Sequence, residues 1–445
     1  MRIRFPGSGD PGQRPARGAR ASALDLYVRG VAAARAGDTD EARFTLERLL
    51  RLDQAQSDAR ARLTPRERSM ALLWLAEMDP EPAAARSRLE EALATDPSNP
   101  AARRRLAVLD GRLLPAEIVD PDRLPSPEPP GASSARRFTC PTCGGRMVYT
   151  PDGQSLVCEY CARRERREGG AGREIDFTVA LARAQGHRTP AAMHTFACQG
   201  CGVVFVLGAQ RLSITCPHCG STHVVDQVET RDLVPPTAVV PFAVEREAAR
   251  QAAQAWAQEH KAHVAPPLGV YLPVWAFDLS GQAPWAGQRH DMFSDRPVPE
   301  TGVELVLEND VLVSARRAPP AAFERLLAGL DTGTLATYDP AFLADWLAET
   351  YDVSVSDAAL EARAQTLGRV RKRLTSRLAG QVSGLQVRSD GFTVDSFQLL
   401  LVPVWIARLD EGEHAVLVNG RSGEAVGPQA PGGLRHWLAA WLGRG

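Results

Sequence analysis

Residues 138–161 read FTCPTCGGRMVYTPDGQSLVCEYC, and residues 196–219 read FACQGCGVVFVLGAQRLSITCPHC. Each stretch holds two Cys-x-x-Cys pairs separated by 14 residues, and the second stretch repeats the first at an offset of 58 positions. Together they contain all eight cysteines of the 445-residue chain. Since chance does not readily produce this spacing twice, the middle of the chain is a duplicated cysteine-rich module.

The cysteine spacing has a chemical reason. Two thiolates two residues apart reach one tetrahedral ion from a tight turn, and a glycine after the second cysteine permits the positive φ that such a turn often requires. Strand-like residues flank a turn between the two pairs of each copy, which is typical of a β-hairpin. We therefore predict two tandem zinc ribbons, over 138–164 and 194–225 within a region 137–228, with rubredoxin-like iron and a redox dithiol as the alternatives.

Each ribbon is expected to hold one structural Zn²⁺, so the chain would carry two ions. Four thiolates complete a tetrahedral shell and leave no position for water or substrate, which disfavours a catalytic metal. The predicted ligands are Cys140, Cys143, Cys158 and Cys161 in the first ribbon and Cys198, Cys201, Cys216 and Cys219 in the second.

Charge distinguishes the two ribbons. The second, over 194–228, has only Arg211 and Asp226 as formal charges, whereas the first carries a modest basic surface diluted by several carboxylates. Nonspecific binding to nucleic acid needs several contacts that neutralise phosphates, and the first ribbon could supply some of them. The candidate arginines are Arg136, Arg137, Arg146, Arg163, Arg164, Arg166 and Arg167.

Residues 22–112 are rich in Ala, Leu and Arg and place apolar residues at helical spacing. Two segments, 30–53 and 71–100, each predict helix, turn and helix, and they resemble tetratricopeptide repeats. The resemblance implies a stack of helices with a groove for a partner peptide, and a small helical bundle packed on the rest of the chain is the alternative. The small residues expected where helices pack closely are Gly30, Ala42, Ala85 and Ala92.

The flanking segments have the composition of connecting chain. Residues 1–21 are rich in Arg, Gly and Pro and predict a disordered tail, with an arm that weakly attracts RNA or lipid as the alternative. Residues 113–136 contain six prolines and predict an extended, semi-rigid linker to the ribbons.

Residues 229–430 predict a duplicated α+β domain with an antiparallel sheet. The string LPVWAFDL at 272–279 echoes VPVWIARL at 402–409, and each follows a long amphipathic helix. This echo indicates two related half-domains, unless it is a chance likeness between short apolar strings. Helices are expected at about 243–260, 319–329, 340–350 and 356–379.

The C-terminal residues 431–445 predict a short amphipathic helix. Its segment 434–442 (LRHWLAAWL) would pack on its own domain or make peripheral contact with a membrane surface. No stretch approaches the roughly 18 apolar residues that span a bilayer, and no secretory signal precedes the helices. We therefore expect a cytoplasmic protein, in a compartment where thiols stay reduced.

Composition excludes several functions. The formal net charge of -1 rules out a uniformly basic nucleic-acid binder. The chain has only two lysines, Lys261 and Lys372, and neither lies in a phosphate-binding loop, which excludes a P-loop ATPase or helicase. The C-terminal domain shows no metalloprotease or serine-hydrolase motif, so an enzyme built there, around Asp278 or His290, is the weakest interpretation.

Several segments together, in order over about 138–428, resemble bacterial proteins that carry a TFIIB-type zinc ribbon and are often labelled relatives of the primosomal helicase protein N-prime. The resemblance implies zinc at the eight cysteines and little about activity, and the missing phosphate loop contradicts the helicase label. Some members of that family continue into membrane-spanning helices. The segments are the two cysteine stretches, EIDFTVAL (174–181), VVPFAVEREAA (239–249), GVYLPVWAFDL (269–279), AFLADWLAETYDV (341–353), LLVPVWIARL (400–409) and VLVNGRSGEAVG (416–427).

The sequence thus predicts a multidomain protein with an α-helical repeat region, two small β ribbons and an α+β domain. We expect a non-enzymatic adaptor or scaffold that binds a protein partner and uses zinc structurally. The alternative is a nucleic-acid-binding accessory factor, related to replication or transcription, that uses the arginines of the first ribbon.

Overall fold

The computed structural model describes residues 13–57, 62–124, 135–136, 140–145, 147–149, 155–166, 172–189, 194–197, 204–207, 213–215, 222–225, 233–291, 294–317, 319, 321–343, 346–378, 382–409 and 415–428. Two compact units divide the chain: 1–118 with 280–306 and 373–393, and 119–279 with 307–372 and 394–445.

The N-terminal region consists of helices, several of which begin at side-chain caps. Thr64 and Glu67 form a reciprocal capping box, and the Asn99 side chain accepts hydrogen bonds from the N–H groups of Ala101 and Ala102. Proline occupies the first helical position at 65, 82 and 100, where its missing N–H costs nothing. The helices are α1 (Gln13–Ala36), α2 (Thr39–Ala55), α3 (Pro65–Glu77), α4 (Pro82–Thr95) and α5 (Pro100–Leu109).

Small residues let these helices approach closely, as the sequence predicts. A Cβ on Gly30 would lie 2.6 Å from Cδ2 of Leu46, so only glycine fits between α1 and α2. Ala42 is fully buried, and Ala85 and Ala92 are buried in the apolar core of this region. Between α2 and α3, the half-buried Arg68 and the buried Asp53 form an ion pair of 3.0 Å.

The flanking segments are more structured than their composition predicts. Helix α1 begins at Gln13, inside the expected disordered tail 1–21, because the helical pattern of the repeat region extends upstream. Within the expected linker 113–136, Leu113 is fully buried, and single 3₁₀ turns occupy Pro115–Glu117 and Pro121–Arg123. Proline at the start of each turn presets the φ that the turn needs.

The cysteine-rich region consists of short antiparallel strands. Strands β2, β3 and β4 form one sheet in that order, β6 pairs with β7, and β1 pairs with β9, which pairs with β8. The strands are β1 (Ala135–Arg136), β2 (Met147–Tyr149), β3 (Ser155–Cys158), β4 (Arg164–Arg166), β5 (Ile175–Asp176), β6 (His194–Ala197), β7 (Val204–Leu207), β8 (Ser213–Thr215) and β9 (Thr222–Val225), with helix α6 (Phe177–Ala182) after β5.

The C-terminal domain is built on a large mixed sheet whose main order is β12-β11-β16-β10-β13. The expected antiparallel sheet is therefore wrong in part, because two short strands run parallel to their neighbours. The elements are β10 (Ala238–Val239), α7 (Arg246–Glu259), β11 (Leu268–Asp291), β12 (Ser294–Ser314), α8 (Ala321–Ala328), β13 (Ala336–Thr337), β14 (Leu347–Ala348), α9 (Val355–Leu378), β15 (Val382–Val387), β16 (Phe392–Arg408), β17 (Ala415–Asn419) and β18 (Ala425–Val426).

Two segments with the order β–α–β–β, called here the two copies, build this sheet. The short first strand of each copy pairs with a long strand of the other copy. The first copy contains β10, α7, β11 and the end of β12, and the second contains β14, α9, β16 and β17. Strand β10 pairs in parallel with β16, Ala238 opposite Leu400, whereas β14 pairs in parallel with β11, Leu347 opposite Val270. The short strands of each copy thus join the hairpin of the other copy.

Two tryptophans of the repeated string bind equivalent positions. Nε1 of Trp275 donates to the carbonyl of Val353, and Nε1 of Trp405 donates to the carbonyl of Val244, each at 3.0 Å. Val353 and Val244 each lie two residues before a long helix, α9 and α7. The hydrogen bonds are therefore related by the same exchange as the strands.

The helix expected over 340–350 is wrong. A 3₁₀ turn covers Pro340–Leu343, and Leu347–Ala348 form strand β14 against β11. Trp346 stacks on Phe242 with ring centroids 3.9 Å apart. Pairing and aromatic packing in the core here outweigh the helical propensity of an Ala- and Leu-rich string.

Candidate metal centre

The first two cysteine pairs converge on one point. The Sγ atoms of Cys140, Cys143, Cys158 and Cys161 all lie within 4.8 Å of one another. Sγ of Cys140 is 3.6 Å from that of Cys161, and Sγ of Cys143 is 3.4 Å from that of Cys158. Four sulfurs bound tetrahedrally at about 2.3 Å from Zn²⁺ would stand about 3.8 Å apart, so the quartet fits this ion.

Each cysteine pair lies in the same kind of turn. In the first, the N–H of Gly144 donates to the carbonyl of Cys140, and the N–H of Cys140 donates to the carbonyl of Gly145. In the second, Ala162 and Arg163 make the matching bonds with Cys158. The two turns close the end of the β2–β3–β4 sheet, where Met147 of β2 pairs with Cys158 of β3.

The residue after each pair takes a positive φ. Gly144 has φ +70°, as predicted from the glycine at that position, and Ala162 has φ +55°. An L side chain is strained there, so the second turn is less favourable than the first. Alignment of the two turns in the sequence would have shown that alanine stands where the first has glycine.

Gly145 is constrained by close approach instead. A Cβ at this position would lie 2.6 Å from Cδ2 of Tyr160, 3.1 Å from Sγ of Cys158 and 3.2 Å from Sγ of Cys143. Ordinary contacts between heavy atoms are about 3.5–4.0 Å, so no side chain fits without movement. Gly145 therefore lets the backbone pass directly beside two of the sulfurs.

In each cysteine pair, backbone N–H groups stabilise the ionised form of the first cysteine. Burial opposes ionisation of the Cys140 thiol, but the N–H groups of Cys143 and Thr142 outweigh burial and lower the pKa of Cys140 to about 6. The N–H of Cys161 lowers the pKa of the Cys158 thiol. The N–H of Gly145 favours ionised Cys143, yet the neighbouring thiols of Cys158 and Cys161 outweigh it and raise the pKa of Cys143. A divalent cation would supply the positive charge that favours the remaining thiolates.

The second predicted quartet, Cys198, Cys201, Cys216 and Cys219, lies outside the described residues. Strands β6 to β9 are described, and they occupy the stretches that flank these cysteines. The prediction of a second ion therefore stays a prediction.

The candidate arginines of the first ribbon have different positions. Nη1 of Arg163 donates to Oγ1 of Thr142 at 2.7 Å and so joins the two cysteine turns. Arg164 is exposed on β4, and Arg166 lies two positions further along the strand. Arg136 lies in β1, while Arg137, Arg146 and Arg167 lie outside the described residues.

The C-terminal domain contains a cleft of about 930 Å³ between β12, α8 and α9. Asp310 lines it, and the N–H of Asp310 donates to Oδ1 of Asp278, 3.0 Å away. Oδ2 of Asp278 accepts from Oγ of Ser396 at 2.6 Å. Both carboxylate oxygens of Asp278 thus accept hydrogen bonds, and Asp278 is not among the residues that line the cleft. The side chain of His290 lies outside the described residues.

Among the helices in the described part of the chain, none combines the length and apolar character that crossing a bilayer requires. No protein-family model matches the chain, and no solved structure matches it. The chain is similar to an uncharacterized protein of Bacillus subtilis, YdjG, with 24% identity over 329 residues. That alignment covers 68% of this chain and 92% of YdjG, so the likeness extends well beyond a single motif.

Proposed function

We propose that the protein is a non-enzymatic adaptor in which zinc holds the ribbons rigid and the helical region binds a protein partner. The observation that carries this proposal is the convergence of four cysteine sulfurs within 4.8 Å. All four tetrahedral positions would be filled by thiolates, so the ion would brace the fold and activate no water. Free thiols at Cys140, Cys143, Cys158 and Cys161 suit a reducing compartment, and we assign the protein to the cytoplasm.

Exposed apolar side chains on the first two helices support partner binding. On α1, Leu24 and Val28 are 47% and 57% exposed and stand one turn apart. On α2, Phe44 and Leu52 are also exposed. Apolar groups that lie together on a helix surface are typical of sites that bind another protein.

The test is affinity purification with the tagged full-length chain and a Leu24→Glu/Val28→Glu variant. The matched control is Leu360→Glu, which alters a leucine that is 68% exposed on α9. We expect the α1 variant to lose a partner that the wild-type chain and the control both retain. Equal recovery of every partner by all three chains would refute binding through α1.

Nucleic-acid binding by the first ribbon is the second candidate. Arg164 is exposed on β4, and Arg166 lies two positions further along the same strand. Gel shift of the full chain at increasing salt separates the two candidates, because binding through phosphates weakens steeply with salt. A salt-sensitive complex that an Arg164→Ser/Arg166→Ser variant loses would favour this second function over the adaptor.

A further inference from the structure

The cleft in the C-terminal domain has a regular wall. Asp357, Glu361, Gln365 and Arg369 line it at intervals of four residues, so they follow one face of α9. Asp310 of β12 and Glu324 of α8 line the cleft as well. The apolar part of the wall comes from Leu312, Leu327 and Leu330.

Carboxylates predominate in the charge available to an occupant. Four of them line the cleft, on Asp310, Glu324, Asp357 and Glu361. Two of the arginines in the wall are already paired: Nη1 of Arg316 lies 2.9 Å from Oε2 of Glu349, and Nη1 of Arg369 lies 3.2 Å from Oε2 of Glu308. The cleft is therefore suited to an occupant that combines apolar and cationic groups.

The described part of the chain ends against α8, the helix that forms one wall of the cleft. Strand β18 is followed by Gly427, whose carbonyl accepts a hydrogen bond from Nη2 of Arg325 on α8. The adjacent residue, Glu324, lines the cleft. An α-helix is about 10 Å across, and the 17 residues after Pro428 could extend about 56 Å, so they readily reach it.

Those residues have the required chemistry. The segment 429–445 reads QAPGGLRHWLAAWLGRG, with Arg435 and Arg444, no carboxylate side chain, and apolar groups at Trp437 and Trp441. We propose that residues 429–445 dock in the cleft of their own chain, with the arginines near the carboxylates and the tryptophans against the leucine wall. This proposal is independent of the adaptor function.

Hydrogen exchange of the full chain, read by mass spectrometry, tests the docking. We expect peptides within 429–445 to exchange slowly and to exchange roughly tenfold faster in Glu361→Arg and in Arg435→Glu. The double variant Glu361→Arg/Arg435→Glu should recover the protection, since it exchanges the two charges. The control Glu77→Arg alters an exposed carboxylate outside the cleft and should leave the exchange unchanged.

Other outcomes would overturn the proposal. Fast exchange of 429–445 in the wild-type chain, with co-sedimentation on phosphatidylglycerol vesicles, would make the segment a membrane contact. Protection that is lost on dilution would place the segment on a second copy of the chain. Protection that both single variants retain would place the segment elsewhere on the domain.

Discussion

Substitutions at the residues after the cysteine pairs separate two requirements of the candidate metal centre. One is a positive φ at 144 and 162, and the other is the close approach of the backbone to the sulfurs at 145. Gly144→Ala adds a Cβ that meets no atom within 4 Å, so its cost comes only from φ +70°. That strain is about 1–2 kcal/mol for an L side chain, and the stiffer unfolded chain of the alanine variant offsets about 0.5–1 kcal/mol of it. Because metal binding and folding of a ribbon are coupled, Zn²⁺ affinity should fall by up to roughly tenfold.

The reverse change is available in the second turn. Ala162→Gly removes the strain at φ +55°, while the freer unfolded chain costs about 0.5–1 kcal/mol. The net gain should be about 0–1.5 kcal/mol, up to roughly a tenfold tighter site. Gly145→Ala should weaken binding more than Gly144→Ala, because its Cβ would press on two of the sulfurs at 3.1 and 3.2 Å.

The assay is competition for Zn²⁺ between the full-length chain and a chromogenic chelator. If the second quartet also binds, each substitution should shift one step of the titration and leave the other in place. Tighter affinity in Gly144→Ala, or weaker affinity in Ala162→Gly, would refute the assignment of strain to these positions. A Gly145→Ala variant that binds as tightly as wild type would refute the close-approach argument.

Three further predictions address the ligands, the exchanged copies and the helical region. Cys140→Ser should unfold only the first ribbon, since it leaves the ion with three protein ligands. An increase in amide hydrogen-exchange rates, relative to wild type, that is confined to 140–166 would show this. Trp275→Phe and Trp405→Phe each leave a backbone carbonyl without its hydrogen-bond donor. Each should lower the free energy of unfolding by about 1–3 kcal/mol in urea titrations. A large difference between the two variants would contradict the equivalence of the two copies. Asp53→Ala should cost about 1–3 kcal/mol in the same titration, because the N–H of Leu63 loses its acceptor and Arg68 keeps only Glu91 as a partner, and a change below about 0.5 kcal/mol would contradict this.

The convergence of the first four cysteines was predictable from sequence because its determinants are local. The spacing of Cys140 and Cys143 predicts a tight turn, and Gly144 after the pair predicts the positive φ that the turn requires. The pairing between Arg163 and Thr142 was not predictable, because it joins two turns that only the folded hairpin brings together. The strain at Ala162 is visible in the sequence only when one turn is aligned with the other.

The C-terminal sheet could be predicted from the sequence only in part. The repeated strings around Trp275 and Trp405 indicate two strands, because each contains a continuous run of apolar residues, which the structure buries on both faces. The apolar string TAVVPF at 237–242 predicts the short strand β10, whereas β14 is only two residues long and carries no period that sequence could show. Their parallel pairing depends on the exchange between copies, which is a tertiary property, and the same contacts turn part of an expected helix at 340–350 into a strand.

The central claim, that cysteine quartets hold structural zinc, is tested most directly by the metal content of the purified full-length chain. Native mass spectrometry with elemental analysis should find about two zinc ions per chain, and about one after Cys140→Ser. A chain that folds and contains no zinc, or a Cys140→Ser variant with unchanged zinc content, would contradict the account.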